Sequence, residues 1–144
     1  MPKLAEATLL QELPGHTGAV YTLHPGLKPD HVISAASDGV VAHWNLLDGT
    51  SPSLMKAQAP VFTVWEHAER GLLAAGQMDG GLHFMDLASG TVRKSAQAHN
   101  GSIFDLQATP DGKLLLSAGQ DGKLAFWNLD TLELELTAQI SRQS

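Results

Sequence analysis

Short apolar stretches alternate with polar turns along the whole chain. The segments "AVYTL", "PVFTV" and "SIFDL" alternate with a period of two and contain β-branched or aromatic residues, as half-buried strands do. Each is followed by a turn, a short apolar run ("HVISAA", "LLAAG" or "LLLSAG") and an Asp-Gly turn. The chain then enters "VVAHW", "GLHFM" or "KLAFW" and a more polar fourth segment ("SLMKAQ", "TVRKSAQ" or "LELELTAQ"). The pattern predicts an all-β chain of four-stranded antiparallel meanders.

The meanders are three copies of one unit. The aspartates of the Asp-Gly turns stand 41 and 42 residues apart, at Asp38, Asp79 and Asp121. Six residues after these aspartates stand Trp44, Met85 and Trp127. Twenty-two residues before them stand His16, Ala57 and His99. The middle copy therefore lacks both the His and the Trp of its neighbours.

A repeat of this length, with Gly-His before its first strand and a Trp-Asp-like pair ending its third, resembles the WD-repeat family of β-propellers. The pairs that carry the resemblance are Gly15-His16, Trp44-Asn45, Ala98-His99 and Trp127-Asn128, with Asn in place of the final Asp. The resemblance covers essentially the whole chain. It implies a leading strand at residues 7–13, followed by blade 1 at about 16–58, blade 2 at about 59–97 and blade 3 at about 98–140.

The resemblance also implies a hydrogen-bonded structural network in each complete copy. The matching residues are His16, Ser34, Asp38 and Trp44 in the first copy, and His99, Ser117, Asp121 and Trp127 in the third. Ser, His and Asp also form hydrolytic triads. Because the set occurs twice, each time with a Trp, and because the resemblance gives it no exposed Ser oxygen, we interpret it as structural and predict no catalytic residue.

Composition narrows the choice of function further. The chain has 144 residues, a net charge of −6 and no cysteine. It has no basic cluster, so we expect neither a nucleic-acid partner nor binding to a membrane surface, and it has no apolar run long enough to span a membrane. We expect a cytoplasmic protein without a cofactor. The remaining histidines lack metal-ligand spacing, so we predict no metal site and expect His24, His31, His67 and His83 at the surface or at sheet edges.

The prediction for function is a non-catalytic protein–protein interaction scaffold. The alternatives are an enzyme or small-ligand binder with its site in the propeller channel, for which the inner strands offer Asp105 and little else, and a purely structural oligomerisation module. The resemblance implies a contact face for a protein or peptide at the end with the Gly-His loops and Asp turns. Its residues would be Thr17, Ala19, Ser37, Pro60, Met78, Asn100, Ser102 and Gln120. Matching Ala57-Gln58 with Ala96-Gln97 predicts a loop into the middle blade that is three residues shorter than the next one.

Three blades and a leading strand are fewer than a ring contains, since propellers have about 4–8 blades. Both end faces would then expose apolar surface. We therefore expect a half-propeller that needs another chain or copy. A complementing fragment would supply the missing strands of a ring of about seven blades, whereas two identical chains would form six blades with one strand per chain left over. The strand count favours the complementing fragment.

Overall fold

Three four-stranded antiparallel sheets follow one another along the chain. The computed structural model describes residues 15–26, 29–49, 53–67 and 69–140, and within them it contains no helix. Blade 1 consists of β1 (Val20–Pro25), β2 (His31–Ala36), β3 (Val40–Asn45) and β4 (Ser53–Lys56). Blade 2 consists of β5 (Val61–His67), β6 (Leu72–Gln77), β7 (Gly81–Asp86) and β8 (Val92–Gln97). Blade 3 consists of β9 (Ile103–Ala108), β10 (Leu114–Gly119), β11 (Lys123–Asn128) and β12 (Leu134–Gln139).

Each sheet has the strand order of a simple meander, so strands pair in the order in which they occur. The predicted fold class, all-β propeller blades, is confirmed. The leading strand predicted at residues 7–13 lies outside the described residues.

The Asp-Gly turns between the second and third strands of each blade share one geometry. The glycines have φ of 78° at Gly39, 89° at Gly80 and 76° at Gly122, a backbone region that other residues rarely adopt. The preceding aspartate of each turn accepts a hydrogen bond from the backbone N–H two residues later, as at Asp38 and Val40. The local sequence is therefore sufficient to form the turn.

The apolar core lies between the blades. One cluster joins blade 1 to blade 2 and includes Ile33, Val41, Leu73 and Met85. A second cluster joins blade 2 to blade 3 and includes Phe84, whose ring centroid lies 5.9 Å from that of Trp127. Consecutive blades thus bury the apolar faces that they present to each other, as stacked repeats do.

The inner strands β1, β5 and β9 lie side by side, and each contains a bulge near its start. The extra residues that lack a partner in the adjoining strand are Tyr21, Phe62 and Phe104. A bulge turns its extra side chain away from the regular alternation of the strand. All three bulges occur at the same point of the repeat, so the three aromatic side chains are turned in the same way.

Polar contacts tie blade 2 to blade 3. Arg70 donates to Asp130 Oδ1 at 2.7 Å and to the carbonyl oxygen of Gly112 at 2.9 Å. Lys94 Nζ lies 3.1 Å from a carboxylate oxygen of Glu133. These contacts cross the gap between two consecutive blades and supplement the apolar cluster that joins them.

Candidate functional site

In blade 1 the structure brings the four predicted network residues together. The Trp44 indole N–H donates to Ser34 Oγ at 2.7 Å, and Ser34 Oγ lies 2.6 Å from His16 Nε2. His16 Nδ1 lies 3.0 Å from Asp38 Oδ2. Because the carboxylate can only accept, His16 donates from Nδ1, and its Nε2 accepts the Ser34 hydroxyl proton. The result is one chain of hydrogen bonds from Trp44 to Asp38.

Blade 3 repeats this arrangement with deeper burial. Trp127 donates to Ser117 Oγ at 3.1 Å, and Ser117 Oγ lies 2.8 Å from His99 Nε2. His99 Nδ1 lies 3.0 Å from Asp121 Oδ1. The side chain of Ser117 is fully buried, so this network has no serine oxygen that a substrate could reach.

The aspartates of both networks are held in the ionised form. Burial raises the pKa of Asp121, but hydrogen bonds from the Asn100 N–H, the His99 ring and the Lys123 N–H outweigh that effect and hold the pKa below its ordinary value. The pKa of Asp38 is lowered by the same kinds of contact against the same opposing burial. Each aspartate therefore links the backbone of the loop, the backbone of its own turn and the histidine ring, which is a structural role.

Blade 2 has a different network in the same place. Gln77 Nε2 donates to Asp79 Oδ1 at 2.8 Å, and Gln77 Oε1 lies 2.7 Å from His83 Nε2. His83 Nδ1 lies 2.6 Å from Ser95 Oγ. In blade 3 the positions of Gln77 and His83 hold a glycine and an alanine, Gly119 and Ala125. The middle copy has therefore replaced small residues by polar ones where it lost the His and the Trp.

Two of these histidines make contacts that the sequence did not indicate. His83 is half-buried and both of its ring nitrogens are hydrogen-bonded, so it is not a free surface residue. His31 Nδ1 lies 2.8 Å from His43 Nε2, which places these two rings in one pair. Among the described residues, no group of three or more His, Cys, Asp or Glu side chains could hold a metal ion.

The loop into the middle blade is shorter than its counterpart by one residue, not by three. The pairing of β3 with β4 places Val40 opposite Lys56, and the pairing of β7 with β8 places Gly81 opposite Gln97. Residues 57–60 therefore correspond to residues 98–102. The two identical Ala-Gln pairs, at 57–58 and 96–97, occupy positions of the repeat that differ by two residues. Aligning the two repeats on these pairs therefore gave a difference in loop length of three residues instead of one.

The loops before the inner strands and the Asp-Gly turns meet at one end of the blades, which we call the loop face. Backbone N–H groups of the turns donate at 2.8 Å to carbonyl oxygens of the loops, in the pairs Ser37–Ala19, Met78–Pro60 and Gln120–Ser102. Thr17, Ala19, Met78, Asn100 and Gln120 are exposed there, and Ser37 and Pro60 are half-buried.

Ser102 is the exception among the predicted residues of the loop face. Its side chain is buried, and its hydroxyl donates to the carbonyl oxygen of Met78 at 2.8 Å. Ser102 therefore joins blade 3 to blade 2 and does not present its side chain to a partner. Pro60 stands at the matching point of blade 2 and has no such donor.

Three aromatic residues beside the loop face were not predicted. The ring centroids of Tyr21 and Phe62 lie 4.6 Å apart in an edge-to-face arrangement, and those of Phe62 and Phe104 lie 6.1 Å apart with nearly parallel planes. Tyr21 is 43% exposed and Phe104 is 57% exposed. We call these three residues the aromatic row. Their common position, seventeen residues before each turn aspartate, is the signal in the sequence that would have identified them.

The candidate that the inner strands offered for a site in the propeller channel was Asp105. Asp105 is exposed, and it accepts hydrogen bonds from the Leu106 N–H and the Gln107 side chain. The part of the chain that the structure describes contains no helix that is long and apolar enough to cross a membrane.

The chain is similar in sequence to a known repeat family and to known proteins. The family model described as "WD domain, G-beta repeat" matches residues 7–45 and 90–128, more than half of the chain. The chain is 34% identical over 97 residues to the WD repeat-containing protein 91 homolog of Dictyostelium discoideum, covering 67% of this chain and 13% of that protein. It is 29% identical over 138 residues to human THO complex subunit 6, covering 87% of this chain and 39% of that protein.

The similarity extends to solved structures. The crystal structure of the WD40 β-propeller domain of Doa1 superposes with a TM-score of 0.77 at 16% identity, covering 89% of this chain and 43% of that one. This chain therefore spans less than half the length of each of these proteins.

Proposed function

The chain belongs to the WD-repeat family, and we propose that its three blades form a protein-binding scaffold that contacts its partner through the loop face and the aromatic row. The observation that carries this proposal is the alignment of three partly exposed aromatic side chains on consecutive blades. Aromatic residues are enriched at protein interfaces, where they add large contact area at little entropic cost.

The chemistry of the surface favours a protein or peptide. The predicted contact residues that are exposed, Thr17, Ala19, Met78, Asn100 and Gln120, are uncharged, the exposed turn residue Asp79 is acidic, and the chain has a net charge of −6, which does not suit a polyanion. Human THO complex subunit 6 is, by its name, a component of a larger complex. The absence of cysteine fits a cytoplasmic location.

The role of the aromatic row is tested by affinity capture with matched variants. Phe104→Ser and Tyr21→Ser should each remove the specific partner, because each deletes an exposed ring from the proposed contact. Leu47→Ser is the control, since Leu47 is 78% exposed and lies in the turn at the opposite end of blade 1. Retention of the partner by both aromatic variants, or its equal loss with Leu47→Ser, would contradict the proposal.

The scaffold also needs cover for its two end faces, and we infer that further blades of the same fold supply it. On blade 1, Leu23, Val32, Trp44 and Leu46 line an apolar cavity of about 490 Å³ on the side away from blade 2. On blade 3, side chains alternate between faces, so Leu116 and Phe126 lie opposite the buried Leu115 and Trp127. An apolar sheet face on each end supports a closed ring.

We expect complementing blades to cover these end faces, because this chain covers only 43% of the length of the Doa1 propeller domain. Light scattering of the chain alone tests the inference: exposed apolar faces should cause self-association. A discrete dimer would show that a second copy closes the ring instead of complementing blades. A stable monomer at high dilution would contradict both forms of closure.

A further inference from the structure

A polar cavity of about 420 Å³ lies between blades 1 and 2. Lys56 and Gln58 line it from blade 1, and Asp79, His83 and Ser95 line it from blade 2. The cavity at the corresponding place between blades 2 and 3 is smaller, about 260 Å³, and includes His99. The middle copy lacks that His and has a shorter loop. The larger cavity is therefore a consequence of the divergence of the second repeat.

The hydrogen bonds of blade 2 fix the orientation of every group in its network. The Gly81 N–H and the Gln77 amide hold the pKa of Asp79 below its ordinary value, so the carboxylate is ionised and can only accept. Gln77 must then point its NH₂ group at Asp79 and its carbonyl oxygen at His83. His83 donates to that oxygen from Nε2, so its Nδ1 carries the lone pair that faces Ser95 Oγ.

Ser95 therefore has the arrangement of an activated serine. Its hydroxyl lies 2.6 Å from an imidazole nitrogen that can accept the proton, and a third group holds the imidazole ring. Ser95 is exposed on the outer strand β8 beside the cavity. The serines of the other two networks, Ser34 and Ser117, also contact a His nitrogen, but they are buried and accept a Trp N–H.

We propose that Ser95 is a nucleophile that forms covalent esters with acyl or phosphonyl electrophiles entering this cavity. In the reaction with a fluorophosphonate, Ser95 Oγ forms a bond to phosphorus while the phosphorus–fluorine bond breaks. Fluoride leaves with the bonding electron pair, and the hydroxyl proton passes to His83 Nδ1. Of the described residues that line the cavity, Lys56 is the only lysine or arginine, and its positive charge would favour the developing oxyanion. This reactivity goes beyond the proposed scaffold function and does not depend on it.

The experiment treats the purified chain with a biotinylated fluorophosphonate and maps the adducts by mass spectrometry. We expect one adduct at Ser95, none at Ser34 or Ser117, and no adduct in Ser95→Ala. His83→Ala should slow labelling at Ser95 by about a hundredfold, because a positioned general base contributes about 10²–10⁴ in rate. Ser89→Ala is the matched control: Ser89 is exposed, but its hydroxyl contacts Thr91 and not a histidine.

The pH dependence of labelling provides a second measurement. Burial lowers the pKa of His83 and the Asp79 carboxylate raises it, with a net value below the ordinary 6.5. Labelling should therefore be half-maximal below about pH 6.5, when the ring becomes neutral. Gln77 is a positioning residue, so Gln77→Met should slow labelling and shift the pH midpoint of labelling. If Gln77 had a purely structural role, the midpoint would not shift.

Three outcomes would overturn the proposal. They are the absence of an adduct at Ser95, labelling of Ser95 that His83→Ala does not slow, and equal labelling of Ser34 or Ser117. Thermal melts of each variant verify that it is folded. His83→Gln replaces His83→Ala if the alanine variant does not fold.

Discussion

Replacing Asp121 by alanine removes the acceptor on which the blade 3 network ends. The donors to Asp121 include His99 Nδ1, the Asn100 N–H and the Lys123 N–H. Asp121 is only 4% exposed and His99 only 3%, so water cannot easily replace the lost carboxylate. Asp79→Ala is the matched comparison, because Asp79 occupies the same position in blade 2 but is exposed.

The expected loss follows from the donors that are left without partners. A buried donor that loses its acceptor costs about 1–3 kcal/mol, and the His99 ring alone provides one. At about 3 °C per kcal/mol for a chain of this size, Asp121→Ala should lower the melting temperature by about 3–9 °C. Asp79 also has partners, Gln77 and the Gly81 N–H, but solvent reaches its carboxylate. The loss in Asp79→Ala should therefore be smaller.

Thermal and urea melts of the two variants measure this difference directly. The slope of the urea transition should not change, because neither substitution alters the surface exposed on unfolding. A larger loss of stability in Asp79→Ala than in Asp121→Ala would refute the reasoning. It would mean that the Gln77–His83–Ser95 network stabilises the fold more than the His–Ser–Trp network does.

Three further predictions concern individual positions. The pKa of Asp121 is lower in the folded state than its ordinary value of 3.8, so the ionised carboxylate stabilises the fold above that pH. This contribution should be lost as the pH falls below about 4. Acid titration should show a smaller loss of stability in Asp121→Ala than in the unmodified chain. Gly119→Ala would place a Cβ in steric conflict with the His99 ring, and urea melts should show a loss of about 1–3 kcal/mol. Leu132 stands at the position of the repeat that Gly90 occupies in blade 2, and its φ is 62°. Its side chain is nevertheless buried, with 4% exposed. Leu132→Gly should relieve about 1 kcal/mol of strain but lose more in buried apolar surface, so melts should show net destabilisation.

The strand order, the turns and the two complete networks are predictable from the sequence because they are local or periodic. Alternation of apolar and polar residues predicts a strand wherever it occurs, and an Asp-Gly pair forms its turn from its own backbone and carboxylate. The offsets of His16, Ser34 and Trp44 from Asp38 recur in the third copy. A recurring offset places side chains at matching points of matching strands, whatever lies between them.

The polar network of the middle blade could be recognised only from the tertiary structure. Gln77, His83 and Ser95 are on three different strands, and no repeated offset marks them, because the other copies have small residues at two of these positions. Their contacts exist because β6, β7 and β8 pair in a register that places His83 between Ala75 and Ser95. The aromatic row depends on bulges, and a bulge follows from strand pairing, not from alternation. Sequence periodicity thus determined the repeating unit, while strand register determined which groups meet where the repeat diverges.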